Sequence, residues 1–200
     1  PKLLLLGDYL DRGRYGFHVL RLLLHLFAEA PEHLYLLRGN HELFVEVGPT
    51  VMSAVQPAES IADLRPFVTD QLLNDYRVLF EELPNMVLCG RTLFVHGGIP
   101  RDGVIKEKVT NLGSLQDPEI RFQMMWSDPS PVDVIPKSLQ DATYRFGYGR
   151  LQTLGFLRRI GCHSMVRGHD GVLDGFAQSF DDGRILVLTI FSAGGADNQD

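Results

Sequence analysis

Leu3-Leu4-Leu5-Leu6-Gly7-Asp8-Tyr9-Leu10-Asp11-Arg12-Gly13 opens the chain and sets the reading of the rest. Four unbroken leucines suit a short strand buried on both faces of a sheet. Gly7 lets the backbone turn sharply at the strand end. Two carboxylates and a guanidinium then crowd into five residues. The same grammar recurs three times. Leu34-Tyr35-Leu36-Leu37 runs into Arg38-Gly39-Asn40-His41, Leu93-Phe94-Val95 into His96-Gly97-Gly98, and His163 to Val166 into Arg167-Gly168-His169. Helical patterns lie between. Phe17 to Ala28 has a wide apolar surface, with His18, Arg21 and His25 on one narrow polar stripe. Ile61 to Leu83 reads as helix with a break at Pro66, and Leu151 to Ile160 as helix capped by Gly161. Met86 to Cys89 and Leu93 to Val95 read as a hairpin turning at Gly90-Arg91. Gly175 to Phe180 and Arg184 to Phe191 read as strands joined at Asp182-Gly183. The proline-rich stretch from Pro129 to Pro136 reads as extended loop. The predicted class is α/β with parallel and antiparallel strands mixed.

Composition narrows the function. Two hundred residues, 44% hydrophobic and 22% charged, describe one globular domain over 1–200. A disordered tail, a collagen-like chain and a coiled coil are excluded. Cys89 and Cys162 lack C-x-x-C spacing, which argues against a thiolate zinc site and for a reducing, cytoplasmic compartment. A net charge of −6 argues against nucleic acid as partner. The apolar stretch from Phe17 to Ala28 is interrupted by charge and too short to span a bilayer, so no membrane role is expected. The chain starts at Pro1 and enters a strand at once, so it reads as a piece of a longer protein.

Sites in open α/β sheets form at the carboxyl ends of strands. Asp8, Asn40, His41, His96 and His169 are therefore expected to converge on one crevice. Carboxylate, amide oxygen and imidazole together suit manganese, iron or zinc. Two such ions about 3.5–4 Å apart clamp a phosphoryl group. Arg12 and Arg38 offer fixed forks for its oxygens. A histidine that holds no metal can protonate the leaving alkoxide, and Asp11 can orient it. Taken singly, each residue has a plainer explanation. Gly7-Asp8 is a common turn, Asp11 could begin a helix, and His18 and His25 belong to a solvated stripe. Four strand ends with the same ligand chemistry are not explained by packing.

These residues resemble a known family. Gly7-Asp8-Tyr9-Leu10-Asp11-Arg12-Gly13 is similar to the G-D-x-x-D-R-G motif of the metal-dependent Ser/Thr protein phosphatases, a group within the calcineurin-like phosphoesterases. Arg38-Gly39-Asn40-His41-Glu42 resembles R-G-N-H-E, and His96-Gly97-Gly98 resembles H-G-G. Trp126-Ser127-Asp128-Pro129 resembles W-S-D-P, Arg167-Gly168-His169 the later histidine motif, and Phe191-Ser192-Ala193 the start of F-S-A-P-N-Y. The resemblance implies a fold of two mixed β-sheets packed as a central sandwich flanked by helices. It implies one-step hydrolysis of a phosphomonoester with two divalent metals, manganese foremost, and a phosphoprotein substrate. Asp8 would bridge the metals, with Asn40, His96 and His169 completing one ligand set. His41 would be the general acid, oriented by Asp11, while Arg12 and Asn40 would bind phosphate.

Four departures qualify the resemblance. The family's first motif, G-D-x-H-G, is expected upstream of Pro1, so this stretch is expected to hold one metal poorly and to show little activity. The second phosphate arginine is out of register. Arg145 is the nearest substitute, with Arg150 behind it. Ala196 stands where the family's tyrosine would be. Leu43 to Leu64 does not follow the eukaryotic pattern, which points to a bacterial-type branch. A Ser/Thr protein phosphatase is the leading reading. A diadenosine tetraphosphatase or another nucleotide phosphoesterase keeps the chemistry and changes the substrate. A binding or regulatory module would keep only the fold.

Overall fold

The computed structural model describes residues 1–56, 59–181 and 186–193. They divide into two compact units, one built on Pro1–Pro84 and the other on Asn85–Ser192.

The first unit begins as a strand–helix–strand crossover. Strand β1 (Leu3–Leu5) and strand β2 (Leu34–Leu36) pair in parallel, with Leu3 beside Leu34 and Leu5 beside Leu36. A parallel pair needs a long connection. Helix α1 (Gly16–Glu29) supplies it and stops before Pro31, which cannot extend a helix. His18, Arg21 and His25 are exposed on α1, as the polar stripe predicts, but Val19, Leu22 and Leu26 are exposed beside them. Because β1 and β2 are parallel, the loops that leave them emerge at the same end. A one-turn 3₁₀ helix (Asn40–Glu42) follows β2 directly.

The hairpin of β3 (Phe44–Val47) and β4 (Thr50–Ser53) comes next, from a segment for which the sequence predicted no structure. The helical stretch predicted from Ile61 is two helices, α2 (Glu59–Leu64) and α3 (Asp70–Glu82). The break falls around Pro66, because a proline disfavours the helical conformation of the residue before it. Thr69 caps α3, its hydroxyl accepting the Leu72 N–H at 3.2 Å. Thr69→Ala is expected to destabilise this unit by about 1 kcal/mol, read by urea denaturation; an unchanged midpoint would show the cap to be idle. Leu10, Leu20, Phe44, Leu64, Leu73 and Phe80 form one core here, and Tyr9, Leu23, Leu34 and Leu36 a second.

The second unit holds a five-stranded mixed sheet. Its order is β10 (Phe176–Ser179), β11 (Val187–Ile190), β9 (Ser164–Arg167), β6 (Thr92–Val95), β5 (Met86–Cys89). The predicted hairpin is β5–β6. Strands β6 and β9 are parallel, with Val95 beside Arg167, so His96 and His169 leave the sheet at one end. Strands β10 and β11 are antiparallel, as predicted, while the expected turn at Asp182-Gly183 and Ala196 lie outside the described residues. Helices α4 (Asp102–Lys108), α5 (Pro118–Met124) and α6 (Lys137–Gln140) were not predicted. Strand β7 (Ser127–Pro129) claims the first residue of the proline-rich stretch and pairs in parallel with β8 (Phe146–Tyr148). Helix α7 (Arg150–Arg159) ends near Gly161 at φ 74°, the left-handed cap expected there. The core runs through Leu93, Val95, Ile99, Tyr148, Phe156 and Met165. Among the described residues, no helix is long and apolar enough to cross a membrane.

Candidate active site

The first unit assembles one cluster from the two loops at the ends of β1 and β2. Gly7 at φ 99° begins the first loop, and Asp8, Asp11 and Arg12 follow at φ 59°, 70° and 55°. Three non-glycine residues in the left-handed region within five positions are costly, and they persist only where surrounding bonds over-determine them. Those bonds are present. The Asp8 N–H donates to Glu42 Oε2 at 2.7 Å and the Tyr9 N–H to Glu42 Oε1 at 2.8 Å. Asp8 Oδ1 in turn accepts the His41 N–H at 3.2 Å. The Tyr9 hydroxyl donates to the Leu37 carbonyl at 2.7 Å.

His41 sits at the centre, 2% exposed. Its Nδ1 lies 2.6 Å from Asp11 Oδ2, and its Nε2 accepts from an Arg12 Nη2 at 2.8 Å. Asp11 therefore selects the tautomer with hydrogen on Nδ1 and leaves Nε2 directed at the arginine. The other Asp11 oxygen accepts the Ser60 N–H, from the first turn of α2. Burial is the largest influence on His41 and pushes its pKa down. The Asp11 hydrogen bond and the Asp8 charge outweigh it, and the net pKa is raised. Asn40 is buried beside His41 in the 3₁₀ turn. Of the residues assigned to the first two motifs, this unit brings Asp8, Asp11, Arg12, Asn40 and His41 together.

The second unit holds the other predicted ligands. His96 is buried and the His169 side chain is only 1% exposed, with His96 Nε2 3.1 Å from His169 Nδ1 and the rings 4.9 Å apart. His169 Nε2 is buried without a hydrogen-bond partner. Burial, then the neighbouring His96, pushes the His169 pKa down to about 3, so the ring is neutral. Two imidazoles with nitrogens facing each other are a donor set that suits a divalent metal. His169 also lies at φ 68°, on a turn closed by the Gly168 N–H to the His96 carbonyl at 2.9 Å. Gly98 lets the Tyr148 ring pack close against the backbone after His96, since a Cβ there would overlap that ring.

Asp128 organises the rest of this cluster. One oxygen accepts from Arg167 Nη2 at 2.6 Å and the other accepts from Arg145 Nε. Arg145 Nη2 also donates to Asp170 at 3.0 Å. Arg145 therefore stands near His169, with its guanidinium held by two carboxylates. Arg150 is turned away onto Asp133 at 2.8 Å. Arg38 is buried, its guanidinium donating to the Glu42 carbonyl at 3.3 and 3.2 Å, so it serves the turn as a brace. Glu42, Ser60, Asp128 and Arg167 had no role in the sequence reading. Glu42, Asp128 and Arg167 stand inside the quoted motifs, and that was their signal. Nothing in sequence marks Ser60, which acts through its backbone.

Known proteins share this arrangement of elements. A family profile described as calcineurin-like phosphoesterase matches residues 1–173. A probable serine/threonine-protein phosphatase of Encephalitozoon cuniculi is 30% identical over 191 residues, covering 94% of this chain and 40% of that protein. The serine/threonine-protein phosphatase 4 catalytic subunit of Eremothecium gossypii is 26% identical, covering 96% and 59%. Among solved structures, a serine/threonine phosphatase of Saccharomyces cerevisiae with similarity to human phosphatase PP5 superposes with a TM-score of 0.73 at 22% identity, covering 96% of this chain and 58% of that one. The chain thus spans about 40–59% of the length of these relatives. With the profile running through both units and the mixed α/β fold in agreement, the chain belongs to the calcineurin-like phosphoesterase family.

Proposed function

We propose that the protein is a metal-dependent phosphomonoester hydrolase that acts on phosphoserine and phosphothreonine in proteins. The observation that carries this reading is His41, with Nδ1 bound to buried Asp11 and Nε2 facing Arg12. That pairing supports a reading in which Nε2 can take up a proton beside Arg12, the proposed phosphate-binding fork. Serine/threonine phosphatases among the relatives support the substrate class.

Asp8, Asn40, His96 and His169 are the residues that would hold one metal, and Asp8 would also serve a second. Divalent ions supply Lewis acidity and lower the pKa of water for attack on phosphorus. The chain's own groups do the rest. Arg12 turns from His41 Nε2 onto the phosphate oxygens. The freed Nε2 takes up a proton from solvent and gives it to the departing serine or threonine alkoxide, while Asp11 keeps the ring in register and stabilises its charged form. Asn40 donates its amide to phosphate. Arg145 is the proposed second phosphate arginine, and binding there requires phosphate to compete with Asp128 and Asp170. Phosphoprotein substrate and manganese are the expected partner and metal. A cytoplasmic setting is proposed from the two unpaired cysteines.

The test is phosphate release by the full-length protein that contains this chain, from a phosphoserine peptide and from diadenosine tetraphosphate, assayed in parallel after chelation and with Mn²⁺ restored. Chelation is expected to abolish turnover of the peptide and Mn²⁺ to restore it. Turnover of the nucleotide alone would move the substrate. No turnover of either with metal bound would sink the enzyme reading and favour a binding module.

A further inference from the structure

We infer that Glu42 is the positioning residue that locks the Asp8 loop to the Asn40 turn and thereby sets the metal affinity of the site. The inference rests on the phosphoesterase reading above.

Glu42 is fully buried, and a buried carboxylate is tolerated only when its oxygens are satisfied. Its oxygens accept three backbone N–H groups: Asp8 at 2.7 Å, Tyr9 at 2.8 Å and Gly39 at 3.0 Å. An ordinary capping role in the 3₁₀ turn would account for Gly39 alone. The other two donors belong to a loop more than thirty positions earlier in the chain. The attachment runs in both directions, because Asp8 Oδ1 accepts the His41 N–H. Asp8 is held at φ 59°, and the Glu42 bond to its N–H is the contact that opposes relaxation to a commoner conformation. Gly39 completes the lock, since a Cβ there would overlap Asp8 and crowd Glu42 Oε2. The Arg38 guanidinium on the Glu42 carbonyl holds the turn from behind.

Glu42 therefore acts through Asp8 and Asn40. Outer residues of this kind change metal affinity by about 10–100-fold when replaced. Glu42→Gln is the sharp variant. It offers one carbonyl oxygen and forces an NH₂ against a backbone N–H. Manganese affinity would be measured by calorimetry on metal-stripped protein. Amide hydrogen exchange at Asp8, Tyr9 and Gly39 would be followed in the same metal-free sample. Leu73→Ala, a core truncation in α3, serves as the control for lost stability alone. Glu42→Gln is expected to weaken manganese binding about 10–100-fold and to speed exchange at those amides, with kcat largely recovered at saturating manganese. Leu73→Ala is expected to lower the melting temperature and leave both readouts in place.

Affinity within about twofold of the unaltered protein in folded Glu42→Gln would overturn the inference. So would an equal loss in Leu73→Ala. If Glu42→Gln does not fold, Glu42→Asp carries the same test: one methylene shorter, it reaches only one loop, and unchanged exchange at Asp8 would overturn the inference. The exchange readout needs no substrate, so absent turnover in the unaltered protein would count against the proposed function and leave the Glu42 result standing.

Discussion

Replacing His41 with alanine is expected to lower kcat for a phosphoserine peptide by about 10²–10⁴-fold, the usual worth of one positioned proton donor. The reason is geometric. Serine and threonine alkoxides are poor leaving groups, and His41 Nε2 is the imidazole nitrogen directed at Arg12, the proposed phosphate-binding arginine. Manganese affinity is expected to be retained, because His41 is assigned as acid and Asn40 beside it as ligand. Asp11→Asn should fall between the two enzymes. It keeps the shape of the pair and removes the charge that stabilises the protonated ring. Steady-state kinetics with a manganese titration separate the outcomes. A loss of metal binding equal to the loss of turnover would make His41 a ligand. A kcat within about tenfold of the unaltered protein would remove it as the acid.

Asp128→Ala is expected to cost the second unit about 3–5 kcal/mol, the range for leaving one member of a buried ion pair alone. Arg167 is fully buried, and Asp128 is the carboxylate on its Nη2 at 2.6 Å. What remains for the guanidinium is the Gly97 carbonyl, the Ser127 carbonyl at 3.3 Å, and Asp170 at 4.0 Å from Nη1. Arg145 would lose one of its two carboxylates in the same step. Asp128→Asn keeps an oxygen for Arg167 and is expected to cost less. Urea denaturation of the two variants decides the matter. A loss below about 1 kcal/mol for the alanine variant would mean that the carbonyls suffice and that Arg167 does not depend on the pair.

The strands that present the site were legible because their signal is local. Leu3 to Leu6, Leu34 to Leu37 and Leu93 to Val95 are short apolar runs with glycine close behind, and β1, β2 and β6 lie there. Helices α1 and α7 were legible for the same reason, through apolar spacing and, in α7, Gly161. The β3–β4 hairpin was not. Four residues of alternation on each side of Gly48 and Pro49 are too few for a period to declare itself. Arg145 shows the limit for the site. As the arginine nearest the family's expected position it suggested a phosphate ligand, but only folding revealed Asp128 and Asp170 on its guanidinium.

Residue type and order within the motifs already named Asp8, Asp11, Arg12, Asn40, His41, His96 and His169, because ligand and acid chemistry reside in side-chain identity. Conformation was a different matter. The left-handed backbone at Asp8, Asp11 and Arg12 is disfavoured by local sterics, so no local rule could predict it. It exists because a buried carboxylate more than thirty residues away holds the amides of Asp8 and Tyr9. The pairing of His96 with His169 likewise follows from the parallel register of β6 and β9, which places residues more than seventy positions apart at one sheet end. Side-chain chemistry is written residue by residue, whereas the angle at which it is presented depends on contacts that only the folded chain can make.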